Sequence, residues 1–448
     1  MLRDSFELIP MENGISAERR HQATVVLSMY VGYAWFMVLR SAPGAVVTAI
    51  RTDIGLTKGE WGQVLAISTA GAVVGKIIGG FLADKIGGRA TFAIGLIGCS
   101  WGITAFGTSV SLGVLQVTFF LALLAKSFGW PAMTRIVGAT IAPSEWGRAW
   151  GILSTSSRVG AILASVGLGA LIAVAPWRTV LAVVGGTGVL VAGLFAVIQK
   201  HAAAKLAGSR QQNADSPNAH AELAVDPLHP LYEKTVGQAL WRFACSRQFW
   251  LITVSLTGMT ILWDFLQILP LFLQDTLNMS DSGASVAASA FPWGSLLSVL
   301  AGGFLFDAMS GRRMAWAMGG LLFVATCCVG AFYAMQYYAP PTGTDVSLSV
   351  VILFIYGVCI APCYYIPMSI FSIRFGGMHA GFLVALLDAI AFGGNAGFQL
   401  IGGELADRGW DQYLLLLGSV AFVSAVTMFA FMLGEAREHD HQRASSID

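Results

Sequence analysis

Apolar residues along this chain come in long blocks, not in alternation. Twelve such blocks run over 24–47, 61–83, 90–110, 113–139, 149–174, 178–199, 249–274, 283–306, 313–337, 347–371, 380–403 and 412–434. A helix needs about 20 largely apolar residues to cross the hydrocarbon core of a bilayer, and each block is near or beyond that length. Strands of a membrane barrel alternate apolar and polar positions over about ten residues, and these blocks do not. The pattern predicts an all-α, polytopic membrane protein with twelve transmembrane helices.

The longest polar interval, "KHAAAKLAGSRQQNADSPNAHAELAVDPLHPLYEKTVGQALWRFACSRQ", separates the sixth block from the seventh. The division that follows is an N-terminal tail over 1–23, a six-helix bundle over 24–199, a linker over 200–246, a second six-helix bundle over 247–434 and a tail over 435–448. The first part of the linker has the Ser/Asn/Ala/Pro composition of a flexible connector. Its later "TVGQALWRFACSRQF" predicts an amphipathic helix lying on the membrane surface.

One phrase recurs at about half the chain length. "GGFLADKIGGRA" at 79–90 and "GGFLFDAMSGRR" at 302–313 each fill a short loop between two apolar blocks. Such spacing argues for two pseudo-symmetric halves. Gly80, Asp84, Lys85 and Arg89 in one copy, with Asp307, Arg312 and Arg313 in the other, form charged clusters beside helix ends. Charge pairs in such places latch one rigid-body arrangement and release another.

Composition agrees with the pattern: 56% of residues are hydrophobic and 11% charged, where a soluble domain carries about 25%. The first 23 residues are polar and charged, without the apolar core of a signal peptide. Six cysteines show no metal-ligand spacing, and no cofactor motif is present. The net charge of +1 carries no nucleic-acid signal. Basic residues set the orientation. With the N-terminus in the cytoplasm, the cytoplasmic loops and tails hold 17 of the 26 Lys and Arg, and the outward loops hold four. By the positive-inside rule both termini are expected in the cytoplasm, most simply at the plasma membrane.

Charge at membrane depth is costly and marks function by default. The blocks contain Arg40, Lys76, Lys126, Arg135 and Arg158 in the first half, against Asp264 and Asp388 in the second. A cavity so biased favours an anion. Tyr33 stands seven residues before Arg40 on the same helical face, and Trp130 follows Lys126 by one turn. Pro131 removes a backbone donor and is expected to kink the fourth helix. Gln267 lies near the face of Asp264, while Arg158 and Asp388 occupy equivalent places in the fifth and eleventh blocks. Arg40, Lys126, Tyr33, Trp130, Lys76 and Gln267 are therefore the candidate substrate-binding residues. Asp264, Asp388, Arg158 and Arg135 are the candidates for coupling or gating, with Asp264 either a proton site or a fixed partner for Arg40. No histidine lies inside any block.

The loop at 80–89 resembles the G-x-x-x-D-[RK]-x-G-[RK]-[RK] signature of the major facilitator superfamily, with Gly88 in place of one basic residue. "GYAWFMVLR", Lys76 and "GWPAMTR" resemble the organophosphate:phosphate antiporters, and "WPAMTRIV…SEWGRAWGI" is equally similar to the anion:cation symporters. The first resemblance implies that Arg40 contacts a substrate phosphate and that Lys76 lies along the cavity. In the superfamily fold the second helix packs near the eleventh, which implies a Lys76–Asp388 pair. Leu262 stands where the antiporters carry a second phosphate-binding arginine, and Ser157 where some carry a histidine. Lys126 stands where many of the symporters hold an acidic coupling residue.

The expectation is a monomeric secondary active transporter of a small organic anion, a phosphorylated metabolite or a carboxylate, that requires no cofactor. It works by alternating access in the lipid bilayer, with protons or inorganic phosphate as counter-substrate. A drug or amphiphile exporter and a transport-inactive ligand sensor are the alternatives. No nucleotide loop or other catalytic constellation supports an enzyme.

Overall fold

The computed structural model of the chain describes residues 11–141, 145–212, 231, 234–307, 309, 311–338, 343–376 and 379–445. The first ten residues and most of the linker lie outside the described residues, as does the side chain of Asp307. Among the described residues, twelve helices are long and apolar enough to cross a membrane. In the first half these are α1 (Arg19–Ala45), α2 (Lys58–Ile86), α3 (Gly88–Gly107), α4 (Leu112–Thr140), α5 (Arg148–Ile172) and α6 (Trp177–Ala202). The second half supplies α7 (Arg247–Gln267), α8 (Asp281–Gly302), α9 (Gly311–Gln336), α10 (Asp345–Tyr364), α11 (Phe382–Arg408) and α12 (Trp410–Arg437). An even number of crossings puts both chain ends on one face, here the terminal face; the opposite face is the distal one.

Helices dominate because a bilayer offers backbone groups no partner, so each must be satisfied within its own segment. Their ends are specified locally. Thr57 and Glu60 form a capping box at the start of α2. Gly87, at φ +87°, makes the one-residue turn between α2 and α3, a conformation that excludes most side chains. Within the stretch expected to lie on the membrane surface there is a helix over Val236–Cys245, with a capping box of Thr235 and Gln238; it buries Ala239 and Phe243 and exposes Trp241.

Helix ends and expected domain edges differ. The helix that begins at Trp177 continues to Gln212, beyond the expected start of the linker. The first helix begins at Met11 and the last ends at Ser445, so both tails are partly helical. Polar sequence outside the hydrocarbon does not oblige a helix to stop, because its hydrogen bonds stay internal.

The two halves repeat one packing device. A Cβ on Gly75 of α2 would come within 2.1 Å of the Leu124 carbonyl oxygen on α4. In the second half, a Cβ on Gly357 of α10 would come within 2.0 Å of the Phe291 carbonyl oxygen on α8. Small residues let these backbones touch, which substitutes for the missing hydrophobic drive between helices in lipid.

The halves meet chiefly through α2 against α11 and α5 against α8. Gly62 faces the Gln399 carbonyl oxygen and the Gly403 backbone across the first contact. At the second, a π-helical turn over Ala164–Leu168 brings the Ser165 carbonyl to Ser285 Oγ at 3.0 Å. A π turn shifts the backbone register, so its carbonyls find partners outside the helix.

Candidate functional site at the interface of the halves

Both α4 and the seventh span, which continues past Gln267 to Leu277, are interrupted. α4 consists of Leu112–Lys126 and Gly129–Thr140, with Pro131 in the first turn of the second piece. Proline costs little there, since first-turn N–H groups have no intrahelical acceptor. Lys126 thus occupies the last turn of a half-helix, where the dipole favours a cation. α7 breaks in the same manner: Arg247–Asp264 gives way to a tight turn over Phe265–Gln267, then to a helix over Leu269–Leu277. Asp264 ends its half-helix, a position that disfavours a carboxylate unless donors surround it.

Donors do surround it. Arg40 Nη2 of α1 donates to Asp264 Oδ1. Asn395 Nδ2 and Gln399 Nε2 of α11 donate to Oδ2 at 2.5 and 3.2 Å. The group is buried: Asp264 is 6% exposed and Asn395 not at all. Breaking such a pair from one side costs about 3–5 kcal/mol, because it strands a buried charge.

Lys76 Nζ meets Asp388 Oδ2 at 2.5 Å and lies 4.1 Å from the centre of the Phe392 ring. Lys126 has neither a hydrogen bond nor an ion pair among the described residues. Its Nζ sits 5.8 Å from the Tyr33 ring centre, within electrostatic range of Arg40, Lys76 and Asp264. Tyr33 contacts Trp130 edge to face at 5.7 Å, and Trp130 packs on Trp150 at 5.0 Å. Trp130 is 42% exposed, whereas Tyr33 beneath it is buried.

Arg158 is fully buried and bridges the halves. Its Nε donates to Ser295 Oγ of α8 at 3.3 Å, Nη1 donates to the Ser154 carbonyl and Ser157 Oγ, and the guanidinium lies 5.1 Å from the Trp263 ring of α7. Two arginines of the first half therefore reach neighbouring residues of α7: Arg40 to Asp264 and Arg158 to Trp263.

Other expected residues are placed differently. Gln267 ends the tight turn of α7 and lies against α1, where a Cβ on Gly44 would meet its side-chain oxygen at 2.8 Å. Among the described residues, Asp84 finds its ion-pair partner outside its own loop. It ends α2 facing α4 and meets Arg135 Nε at 2.9 Å, with both side chains mostly exposed. Arg89 instead donates to Gln199 of α6 at 3.1 Å, and Gln199 donates to Ser28 of α1. Arg312 is exposed. Of the paired glycines in the loop phrase, Gly79 is the packing residue, since a Cβ there would strike Phe128, whereas Gly80 faces open space.

Asn395 and Gln399 belong to this site but are not among the candidates expected from sequence. Asn395 and Gln399 stand four apart in "GGNAGFQLIGG", and two amides on one face of an apolar helix are themselves a signal.

Twelve spans in two halves, with discontinuous helices at the centre, match how secondary transporters are built. The sequence profile of the Major Facilitator Superfamily matches residues 29–283 and 265–447. The chain belongs to the Major Facilitator Superfamily. Within it, the chain is 24% identical over 299 residues to a probable hexose phosphate transport protein of Chlamydia muridarum, covering 64% of this chain and 65% of that protein. The match thus spans just under two thirds of that relative. Similarity at 24% also extends to a probable sulfoacetate transporter, SauU, of Cupriavidus necator, over 77% of this chain and 80% of that one. A third relative, the membrane sensor protein UhpC of Escherichia coli, is 24% identical over 71% of this chain and 73% of its own. The crystal structure of a D-xylose–proton symporter superposes with a TM-score of 0.65 at 14% identity, covering 92% of this chain and 98% of that one, which shows the shared fold. This superfamily member is a multi-pass membrane protein.

Proposed function

We propose that the chain is a secondary active transporter of a small organic anion, carried across the plasma membrane by alternating access. The observation that supports this best is Lys126. It is an ammonium group held at a helix break in mid-membrane, with no carboxylate partner among the described residues, beside the ring of Tyr33. A buried charge without a partner is expensive, and an anionic substrate supplies the partner. Arg40 is the second anion-binding group, with a planar fork of donors suited to phosphate or carboxylate. In the present arrangement it is engaged by Asp264, so substrate competes with that carboxylate for the guanidinium. Tyr33 and Trp130 shape the pocket, and Lys76 borders it.

Relatives named for hexose phosphate and sulfoacetate transport support an anionic substrate class wider than phosphate esters. Leu262 is fully buried where the antiporter resemblance places a second arginine, which favours a site able to take carboxylates and sulfonates as well. Gating follows the α2–α11 contact. Lys76–Asp388 and the Asp84–Arg135 pair lie toward the terminal face, which we assign to the cytoplasm. Arg158 and its Ser295 contact hold the halves together near the centre. No enzymatic step is assigned to any of these residues.

A second reading, a ligand sensor without flux, is favoured by the similarity to UhpC alone. Purified protein in liposomes separates the two. Uptake of glucose 6-phosphate, sulfoacetate or gluconate supports the transporter, whereas saturable binding of any of them without uptake supports the sensor.

A further inference from the structure

The helix over Val236–Cys245 carries more apolar surface than the protein buries. Ala239 and Phe243 form the row turned into the protein. Beside it, at four-residue spacing, Val236, Leu240 and Ala244 form a second row, and all three are exposed. Trp241 flanks that row and is 73% exposed. Gln238 and Arg242 lie on the opposite side of the helix. An apolar strip left bare beside a polar face is the pattern of a helix that lies in the plane of a bilayer surface.

The helix is also in the right place. Only Ser246 separates it from the membrane-crossing helix that begins at Arg247, at the terminal face. Trp250, in the first turn of that crossing helix and half exposed, donates from Nε1 to the Ala244 carbonyl at 2.8 Å. That bond fastens the end of the strip to a tryptophan at the membrane edge, where such rings are favoured. Lys234, Arg242 and Arg247 are exposed, and none has an ion pair among the described residues. Between residues 234 and 250 the sequence has no Asp or Glu. Three cations beside an apolar strip at the membrane edge complement anionic headgroups.

The buried row makes the inward contact. The Phe243 ring lies 5.6 Å from that of Phe375 and 6.5 Å from that of Phe382, centre to centre. Those two rings flank the α10–α11 connection, within which His379 Nε2 donates to the Lys234 carbonyl at 2.8 Å. Asp388, which holds Lys76 of the other half, follows Phe382 along α11. We propose that the Val236–Cys245 helix is a docking face for the anionic lipid surface of the terminal leaflet, and that through Phe243 it ties the α10–α11 connection to that surface. This inference is independent of the transport reading and holds for a carrier or a sensor alike.

The test uses the full chain, freed of other cysteines, with a nitroxide label on Leu240→Cys or Gln238→Cys. It is placed in vesicles of phosphatidylcholine, with or without phosphatidylglycerol. The Leu240 label is expected to collide with oxygen more than with a water-soluble nickel chelate, and the Gln238 label the reverse. Phosphatidylglycerol should lower nickel collisions at the Leu240 label by roughly fivefold or more, the effect of one cation at an anionic surface. Lys234→Gln with Arg242→Gln and Arg247→Gln should abolish that effect, since these exposed substitutions leave the apolar strip intact. Equal nickel access at both labels means that water or a partner protein covers the strip, and overturns the proposal. A phosphatidylglycerol effect absent from the parent, or kept by the triple variant, also overturns it. Hydrogen exchange of the α10–α11 connection should slow with phosphatidylglycerol in the parent and not in Phe243→Ala. His379→Ala, which removes one surface hydrogen bond, replaces that variant if it does not fold; slowing kept by the variant contradicts the tie.

Discussion

The carboxylate of Asp407, at the distal end of α11, sits on the first turn of α2 and accepts from the Gly59 N–H at 2.6 Å and the Lys58 N–H at 2.7 Å. Around it, Lys58 Nζ meets Asp275 at 2.7 Å and lies 4.6 Å from the Trp410 ring centre, and Trp410 Nε1 also donates to Asp275. An acidic side chain on a helix N-terminus satisfies free N–H groups and the helix dipole together. Here the helix and the carboxylate belong to opposite halves, so the contact closes the distal face.

Removing that carboxylate weakens the closed state. Hydrogen bonds to a charged group contribute about 1.5–3 kcal/mol when buried, and this partly exposed pair contributes less. Asp407→Ala is therefore expected to raise the population open on the distal face by roughly tenfold. Ser285 is buried between α8 and α5 near that face. In a cysteine-free background, alkylation of Ser285→Cys from the distal side should accelerate by that factor in Asp407→Ala. An unchanged rate contradicts the assignment of Asp407 as a gate.

The Arg40–Asp264 pair should behave as a unit. Arg40→Ala or Asp264→Ala alone strands a buried charge and is expected to cost about 3–5 kcal/mol. The double variant should cost clearly less than the two singles added together, as groups in direct contact require. Chemical unfolding in detergent measures all three, and additive losses count against the pairing.

Lys76 and Asp388 are joined across the halves at the inner end of the α2–α11 contact. Either Lys76→Ala or Asp388→Ala is expected to lower transport at least tenfold, a loss of about 1.4 kcal/mol or more of coupling. Exchanging the two charges, Lys76→Asp with Asp388→Lys, should restore part of it. If the exchanged pair is no better than the singles, the electrostatic role is wrong.

Much of this architecture is written in the sequence, and the gaps have physical causes. The spans are legible because a bilayer enforces length and apolarity. The α4 break is legible through Pro131. Lys76 with Asp388 could be matched because both are charges in apolar helices and the superfamily resemblance supplies their neighbourhood. The α7 break is not announced locally, since Pro270 marks only the far side of the turn over Phe265–Gln267. Asp407 lies in what reads as a loop end, and nothing local says that it reaches another helix 348 residues away. Asn395 and Gln399 leave a trace as two amides on one face of an apolar helix, but neutral groups do not reveal that their common partner is Asp264.

The two glycines of the loop phrase separate packing from gating. Gly79→Val drives a side chain into Phe128 and is expected to destabilise by about 1–3 kcal/mol. Gly80→Ala meets open space and should leave the thermal midpoint unchanged. Thermal unfolding in detergent compares them; equal losses would place both glycines in the packing.

The central claim, that Lys126 and Arg40 together take an anion through the membrane, is tested most directly by uptake into liposomes holding the purified chain. Glucose 6-phosphate, sulfoacetate and gluconate are offered with an inward proton gradient, to the parent, Arg40→Ala and Lys126→Gln. Accumulation of at least one of them by the parent, reduced tenfold or more in both variants, is the predicted result. Absence of uptake for every anion, or uptake that both variants preserve, would contradict it.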